Sequence, residues 1–402
     1  MRILIVYDKP VHDVTEASGK NLKELAYFLK NFSNEVYVLT LAKENNIYRK
    51  DFYELQIGSN MSNSNRVAIS IINNISIRVF NKPILYYSKI FKKIDKFAPD
   101  LIITHGLASL SVNFVDILRY YKKMHDEIRI LAMTDDVRQI EEHLKIKREL
   151  IPYNKKFIKF LALLIMPLYE VAIRHIAYSM YDAMVKNFDG LLFFTDEDYG
   201  YATKRYPRYK KKFFIFRRPV KDIESKNRYS IKKELNTVLF VGNCNHLPNI
   251  EAIHKIIDIA SRVNQINFIV AGSRCSKYSK GNVKIVGFVN DLDTLYMKAD
   301  IFVAPLKSGS GMKMKLLECF KYGIPIIGTH IAFEGYPVKN GVDCIIEDDI
   351  EKYPARIREL EDYKKRGRIS ENSRKIIYYF SYDEAKRVWD TILNGILDNK
   401  KS

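Results

Sequence analysis

The sequence predicts an α/β protein built of two Rossmann-like domains, and three observations carry that prediction. Short apolar runs recur along the chain, and segments with apolar residues at helical spacing follow them. The pattern occurs in both halves: Arg2 to Tyr7 precedes the helical segment Asn21 to Phe32, and Thr237 to Gly242 precedes Asn249 to Ala260. A chain of 402 residues is also long for a single hydrophobic core, so two domains are expected.

Composition bounds the function classes. With 47% hydrophobic and 28% charged residues the chain reads as globular. Met1 to Tyr7 meets Asp8 at once, which predicts a strand rather than a signal peptide. Cys244, Cys275, Cys319 and Cys344 lack Cys-x-x-Cys spacing, which argues against zinc and predicts buried, reduced thiols in a cytosolic protein. The net charge of +19 calls for an anionic partner: a nucleotide, a membrane surface or nucleic acid. No zinc finger, basic zipper or other reader motif supports nucleic acid, which is not expected as a partner.

In the first half, Asp8 to Lys20 reads as a loop ending in Ser18-Gly19-Lys20, with Gly19 a candidate for anion or sugar contact. Val36 to Leu39 is the second strand, and Asn60 to Asn65 a surface loop. Pro99 to Gly106 is a strand delivering His105 to its carboxyl end, and Ile130 to Asp136 ends on Asp135 and Asp136, acids that also suit a helix cap. Within Lys155 to His175, ten uncharged residues run from Phe160 to Tyr169, fewer than the roughly 20 a membrane span needs. Its basic flanks, Lys155, Lys156, Lys159 and Arg174, suit a lipid surface; the alternative is a core helix broken near Pro167. Gly190 to Thr195 reads as the last strand of the first domain. Lys204 to Lys233, with thirteen Lys or Arg against Asp222 and Glu224, reads as a basic linker carrying one short strand, Phe213 to Phe216.

In the second half, Asn267 to Gly272 and Val283 to Phe288 repeat the strand-glycine pattern of Thr237 to Gly242. Asp291-Leu292-Asp293 spells a metal motif but stands where a helix begins, and is read as a cap. Ala304 to Thr329 organises the domain: a strand end, a loop with Gly309, Ser310 and Gly311, a helix from Met312 to Tyr322, a stop at Gly323 and Pro325, and the strand Ile324 to Gly328. A helix start beside glycines suits a phosphate, and Lys313 and Lys315 in the first turn suit a diphosphate. Glu318 suits the hydroxyls of a ribose. The bland alternative leaves both lysines solvated and Glu318 on a helix surface.

This stretch resembles the nucleotide-sugar site of retaining, family 4-type GT-B glycosyltransferases, the glycosyl transferases group 1. Many carry two glutamates eight positions apart; Glu318 matches the second, and Ser310 stands where the first would be. Pro305 to Glu318 follows a branch reading Pro-Leu-x-x-Gly-Ser-Gly-x-x-x-Lys-x-Leu-Glu. The resemblance is strong from Val238 to Asp348, looser before, and covers nearly the whole chain.

The resemblance implies two Rossmann-like domains facing across a cleft: an acceptor domain over 1–216, a donor domain over 217–380, and a C-terminal helix over 381–402, capped by Ser381 and Glu384, that packs back on the first. It implies transfer of a sugar from a nucleoside diphosphate sugar to a glycan or lipid-linked acceptor, with retention, no cofactor and no metal. His105, Lys313 and Glu318 would be catalytic. Gly19, Gly242, His246, Asn249, Val289, Ser310, Gly311, Met312, Lys313 and Glu318 would bind the donor, Val289 through backbone at a base pocket. The arginine and lysine usual after the first strand of the donor domain are replaced by Asn243 to Asn249, which throws the phosphate charge onto Lys313. An epimerase of the same fold and a non-catalytic sugar-nucleotide binder are the rival readings. The expected location is the cytoplasm, at the inner face of an anionic membrane.

Overall fold

The computed structural model describes residues 1–7, 17–32, 34–40, 47–48, 53–56, 87–105, 114–134, 156–221, 231–276, 278–309 and 311–398. The chain divides into two compact units, Met1–Lys221 with Ala385–Ser402, and Asp222–Glu384.

In the first unit an eight-stranded sheet runs in the order β3-β4-β2-β1-β5-β6-β7-β8. The strands are β1 Arg2–Tyr7, β2 Glu35–Thr40, β3 Ile47–Tyr48, β4 Tyr53–Gln56, β5 Leu101–His105, β6 Arg129–Thr134, β7 Gly190–Phe193 and β8 Phe213–Ile215. All neighbours pair in parallel except β3 with β4. The central strands are buried on both faces, which is why they read as unbroken apolar runs rather than alternating patterns. The helices are α1 Ala17–Asn31, α2 Tyr87–Phe97, α3 Phe114–Met124, α4 Lys156–Asn187 and α5 Asp196–Arg205.

Three expectations change here. The helix α1 starts before Gly19, which therefore lies in its first turn and not in a loop. The helix α4 runs through Pro167. A proline removes one backbone bond and crowds the preceding turn, but Met180, Tyr181, Met184 and Val185 further along are buried and hold the rest of the helix on the core. The basic segment after α5 is not linker: Pro207–Lys212 forms a 3-10 turn, and β8 adds to the sheet beside β7, with Phe213 edge-on to Phe193 at 5.5 Å. The strand β8, not β7, thus closes the sheet.

The second unit carries a seven-stranded sheet, ordered β11-β12-β10-β9-β13-β14-β15. Its strands are β9 Thr237–Val241, β10 Asn267–Ala271, β11 Tyr278–Lys280, β12 Val283–Gly287, β13 Ile301–Ala304, β14 Ile326–Gly328 and β15 Ile345–Ile346. Only β11 runs antiparallel to its neighbour. The helices are α6 Leu247–Ala260, α7 Asp293–Lys298, α8 Met314–Tyr322, α9 Tyr353–Glu359 and α10 Tyr363–Ile376. Both sheets share one feature. The chain leaves the first strand to one side, then returns and continues on the other, so β1 lies between β2 and β5, and β9 between β10 and β13. The carboxyl ends of β1 and β9 are thus topological switch points, where open α/β sheets hold ligands.

The last helix, α11 Tyr382–Asp398, is capped as expected by Ser381, whose hydroxyl accepts from the Glu384 amide at 3.1 Å. Its Ala385-to-C-terminus portion groups with the first unit. There Trp389 is buried against Phe216, ring centres 5.6 Å apart, and Lys386 lies over Phe32.

Candidate nucleotide-sugar site

The loop after β13 is held by its own lysine. Gly309 and Gly311 have φ of 107° and 71°, the left-handed region that a side chain resists, and a Cβ on Gly311 would meet nothing within 4 Å. Lys313 is not in the helix, as the apolar spacing suggests, but is the residue capping α8. Its ammonium donates to the carbonyls of Gly309 and Gly311, both at 2.7 Å, and lies 3.5 Å from the Glu334 carboxylate. The Tyr336 hydroxyl donates to the Lys313 carbonyl at 2.9 Å. Met312 also precedes the helix, and Ser310 lies outside the described residues.

Lys315, the second lysine of that turn, is held differently. Its ammonium donates to Asn249 Oδ1 at 2.6 Å and sits 4.3 Å from the centre of the Phe240 ring. Among the described residues no carboxylate pairs with it. Burial, then repulsion from Lys313, pushes its pKa down to about 7. The Asn249 amide is used at both ends, because its Nδ2 donates to the Asn243 carbonyl at 2.9 Å. Asn249 therefore fixes the β9 loop and aims Lys315.

The loops at the ends of β9 and β10 are in close contact. A Cβ on Gly242 would come within 2.9 Å of Asn249 Oδ1, and one on Gly272 within 1.8 Å of the Gly242 carbonyl, so both positions require glycine. A disulfide joins Cys244 to Cys275, Cα atoms 5.0 Å apart. This corrects the expectation of four reduced thiols: adjacent parallel strands bring their following loops side by side, a proximity that a separation of 31 residues conceals. Cys319 and Cys344 are buried and free, and burial raises both thiols.

The remaining candidates spread along the same edge. Glu318 is half-buried on α8, one turn after its start. His246 precedes α6 with an exposed side chain that makes no capping bond. Val289 follows β12 by two residues and is half-buried, beside Phe288, which is 69% exposed. Asp291 accepts from the Thr294 hydroxyl at 2.7 Å and the Asp293 amide at 3.0 Å, which holds the start of α7 and keeps its carboxyl below the usual range. No cluster of His, Cys, Asp or Glu fit for a metal occurs among the described residues.

In the first unit His105 ends β5 at the switch point, its ring edge-on to Tyr7 at 5.6 Å. Tyr7 has no motif to mark it. Gly106, Asp135 and Asp136, and Asn60 to Asn65, lie outside the described residues. Glu334 is likewise invisible to sequence reasoning, because it reaches Lys313 only through the turn after β14. Lys315 was legible: it is the lysine of the Pro-Leu-x-x-Gly-Ser-Gly-x-x-x-Lys-x-Leu-Glu pattern.

The family model for glycosyl transferases group 1 matches residues 236–362, which include this strand, glycine loop and helix. The O-antigen biosynthesis glycosyltransferase WclY of Escherichia coli is 25% identical over a match spanning 27% of this chain and 35% of that protein. The fold of the whole chain is the GT-B fold. Sucrose-phosphate synthase from Thermosynechococcus elongatus superposes with a TM-score of 0.68 at 11% identity, covering 99% of each chain. Alr3699/HepE of Anabaena, in complex with UDP-glucose, superposes with a TM-score of 0.61 at 11% identity over 98% of this chain and 100% of that one.

Proposed function

We propose that the protein is a glycosyltransferase that moves a sugar from a nucleoside diphosphate sugar to a glycan or lipid-linked acceptor, with retention of anomeric configuration and without a metal. The observation that carries this reading is Lys315: a half-buried ammonium with no carboxylate partner among the described residues, held by Asn249 at the switch point of the unit that the group 1 model matches. A diphosphate there would supply the missing negative charge. The structural relative that holds UDP-glucose supports the donor class.

In the reaction the bond between the anomeric carbon and the diphosphate oxygen breaks, and the electron pair leaves with the phosphate. Lys315 stabilises that charge as it develops, and Lys313 keeps the glycine loop in the shape that exposes its backbone. Glu318 accepts from the ribose hydroxyls. His105, which ends β5, is the first unit's candidate for a catalytic role, and the acceptor hydroxyl attacks from the face the diphosphate leaves, its proton passing to the departing phosphate oxygen. In this reading Asp291 serves the start of α7, where it accepts from Thr294, rather than a metal.

The acceptor reading rests on charge and on α4. Leu168 and Val171 are 74% and 64% exposed on a helix whose start is rich in lysine, an arrangement suited to lipid headgroups. No helix among the described residues is long and apolar enough to cross a membrane.

A thermal-shift panel of nucleoside diphosphate sugars, followed by product analysis in excess chelator, tests the proposal. Stabilisation by one donor and transfer to an added acceptor are expected. Conversion of the donor without acceptor would indicate an epimerase, and binding without turnover a non-catalytic protein. Activity that returns only with manganese would overturn metal independence.

A further inference from the structure

The strongest unassigned cluster lies in the first unit, at the amino ends of β6 and β7, the edge opposite His105. A cavity of about 380 Å³ opens there, lined by Arg129, Asp189, Arg208, Tyr209, Lys211 and Lys212 among others. Among the described residues Asp189 is the one acid that lines it. One oxygen accepts from Arg129 Nη1 at 3.0 Å; the other accepts from Lys122 Nζ and the Ile130 amide, each at 2.8 Å. The Lys212 ammonium donates to the Phe188 carbonyl at 2.9 Å. Arg208 and Lys211 stand exposed at the mouth, and among the described residues neither has an acidic partner.

Four cations thus line the cavity and a fifth, Lys122, binds Asp189, against that one carboxylate, which is already engaged. Lys122, Arg129 and Asp189 have side chains only 13 to 14% exposed, so solvent screens the inner charges poorly, while Arg208 and Lys211 meet solvent at the mouth. Lys212 registers the excess charge: burial first, and Lys122 in addition, lower its pKa despite the pull of Asp189. A multiply charged anion with several acceptor oxygens would satisfy two guanidinium forks and two ammonium groups at once. The volume suits one small headgroup rather than a polymer.

We propose that this cavity is a second anion site, distinct from the nucleotide-sugar site, that binds the phosphate group of a phosphomonoester or diphosphate. The same chemistry is offered by a soluble phosphate compound and by a phosphorylated lipid headgroup. The site does not depend on the proposed transferase reaction.

Lysine acetylation read by mass spectrometry tests this on the full chain, because Lys211 is accessible and Lys212, with its lowered pKa, is nucleophilic. Inorganic pyrophosphate, at ionic strength held constant with chloride, should slow acetylation of Lys211 and Lys212 several-fold relative to exposed Lys204. Lys315→Met should keep that protection, which separates it from failure of the nucleotide-sugar site. The double variant Arg208→Gln, Lys211→Gln, both at exposed positions, should lose protection of Lys212. Protection by phosphatidic acid vesicles alone would support the proposal with a lipid as the source. Equal protection by chloride, none from either probe, or protection unchanged in the double variant would overturn it.

Discussion

Lys315 donates to Asn249 Oδ1 at 2.6 Å, joining the helix after β13 to the helix after β9 across the switch point of the second unit. Asn249 is neutral, so the bond orients the ammonium without cancelling its charge. The cation stays available to an anion, and its burial without a counter-charge is a cost to the empty protein.

Lys315→Met should therefore separate stability from binding. We expect the variant to be more stable by about 1 kcal/mol or more at neutral pH, since an apolar side chain replaces a poorly compensated ion. Its affinity for nucleoside diphosphates should fall by ~1.5–3 kcal/mol, the usual worth of a charged hydrogen bond. Denaturant titration and calorimetry measure the two. A destabilised variant with unchanged affinity would refute the assignment.

The same lysine predicts a pH dependence. Its pKa is about 7 in the folded chain against an ordinary 10.5. Between those values the unfolded chain holds a proton that the folded chain has released, so this group makes stability rise as pH climbs from about 7 toward the ordinary lysine range. Below about 7 the contribution is constant. An anion raises the pKa, so nucleoside diphosphate binding above pH about 7 should take up a proton, seen as a buffer-dependent binding enthalpy. Lys315→Met should abolish that dependence.

Asn249→Asp tests the neutrality of the partner. A carboxylate beside Lys315 should restore its pKa and compete with the diphosphate. We expect a folded protein with nucleoside diphosphate affinity lowered at least tenfold, about 1.4 kcal/mol, by titration calorimetry. Asn249→Ser should lose less.

Glu318→Gln should weaken binding of ribonucleotides and leave deoxyribonucleotides nearly unaffected, because only the former present the paired hydroxyls. Equal affinity of the wild-type protein for both forms would remove Glu318 from the ribose.

Replacing Cys244 with Ser opens the covalent link between the loops after β9 and β10. A bridge over 31 residues contributes on the order of 3–4 kcal/mol by loop closure. We expect a lower denaturation midpoint for the variant, and the same decrease for the wild-type protein under reductant.

At acidic liposomes, Leu168→Ser with Val171→Ser should reduce pelleting, as should Lys155, Lys156 and Lys159 changed together to Glu. Both apolar positions are exposed, so the fold should persist. No pelleting of the wild-type protein at low salt would withdraw the membrane reading.

The sequence by itself determined the two sheets. Strands buried on both faces must be apolar throughout, and Gly323, with φ of 74°, must end its helix, so the strand, loop, helix and strand of residues 304–329 were legible with their boundaries a residue or two adrift. Helix starts were less legible. Apolar spacing drew Met312 and Lys313 into α8, whereas the carbonyls that Lys313 caps hold it outside. Tertiary structure alone decided what lies beside what. Strand order puts the β9 loop between those of β10 and β13, from which follow the Cys244–Cys275 bridge and the Lys315–Asn249 bond, and puts β14 beside β13, from which follows the Lys313–Glu334 pair. These contacts join residues 21 to 66 positions apart, and neither periodicity nor composition carries information at that range. Pro167 marks the same limit: its local preference predicted a break, and packing of the turns that follow overrode it.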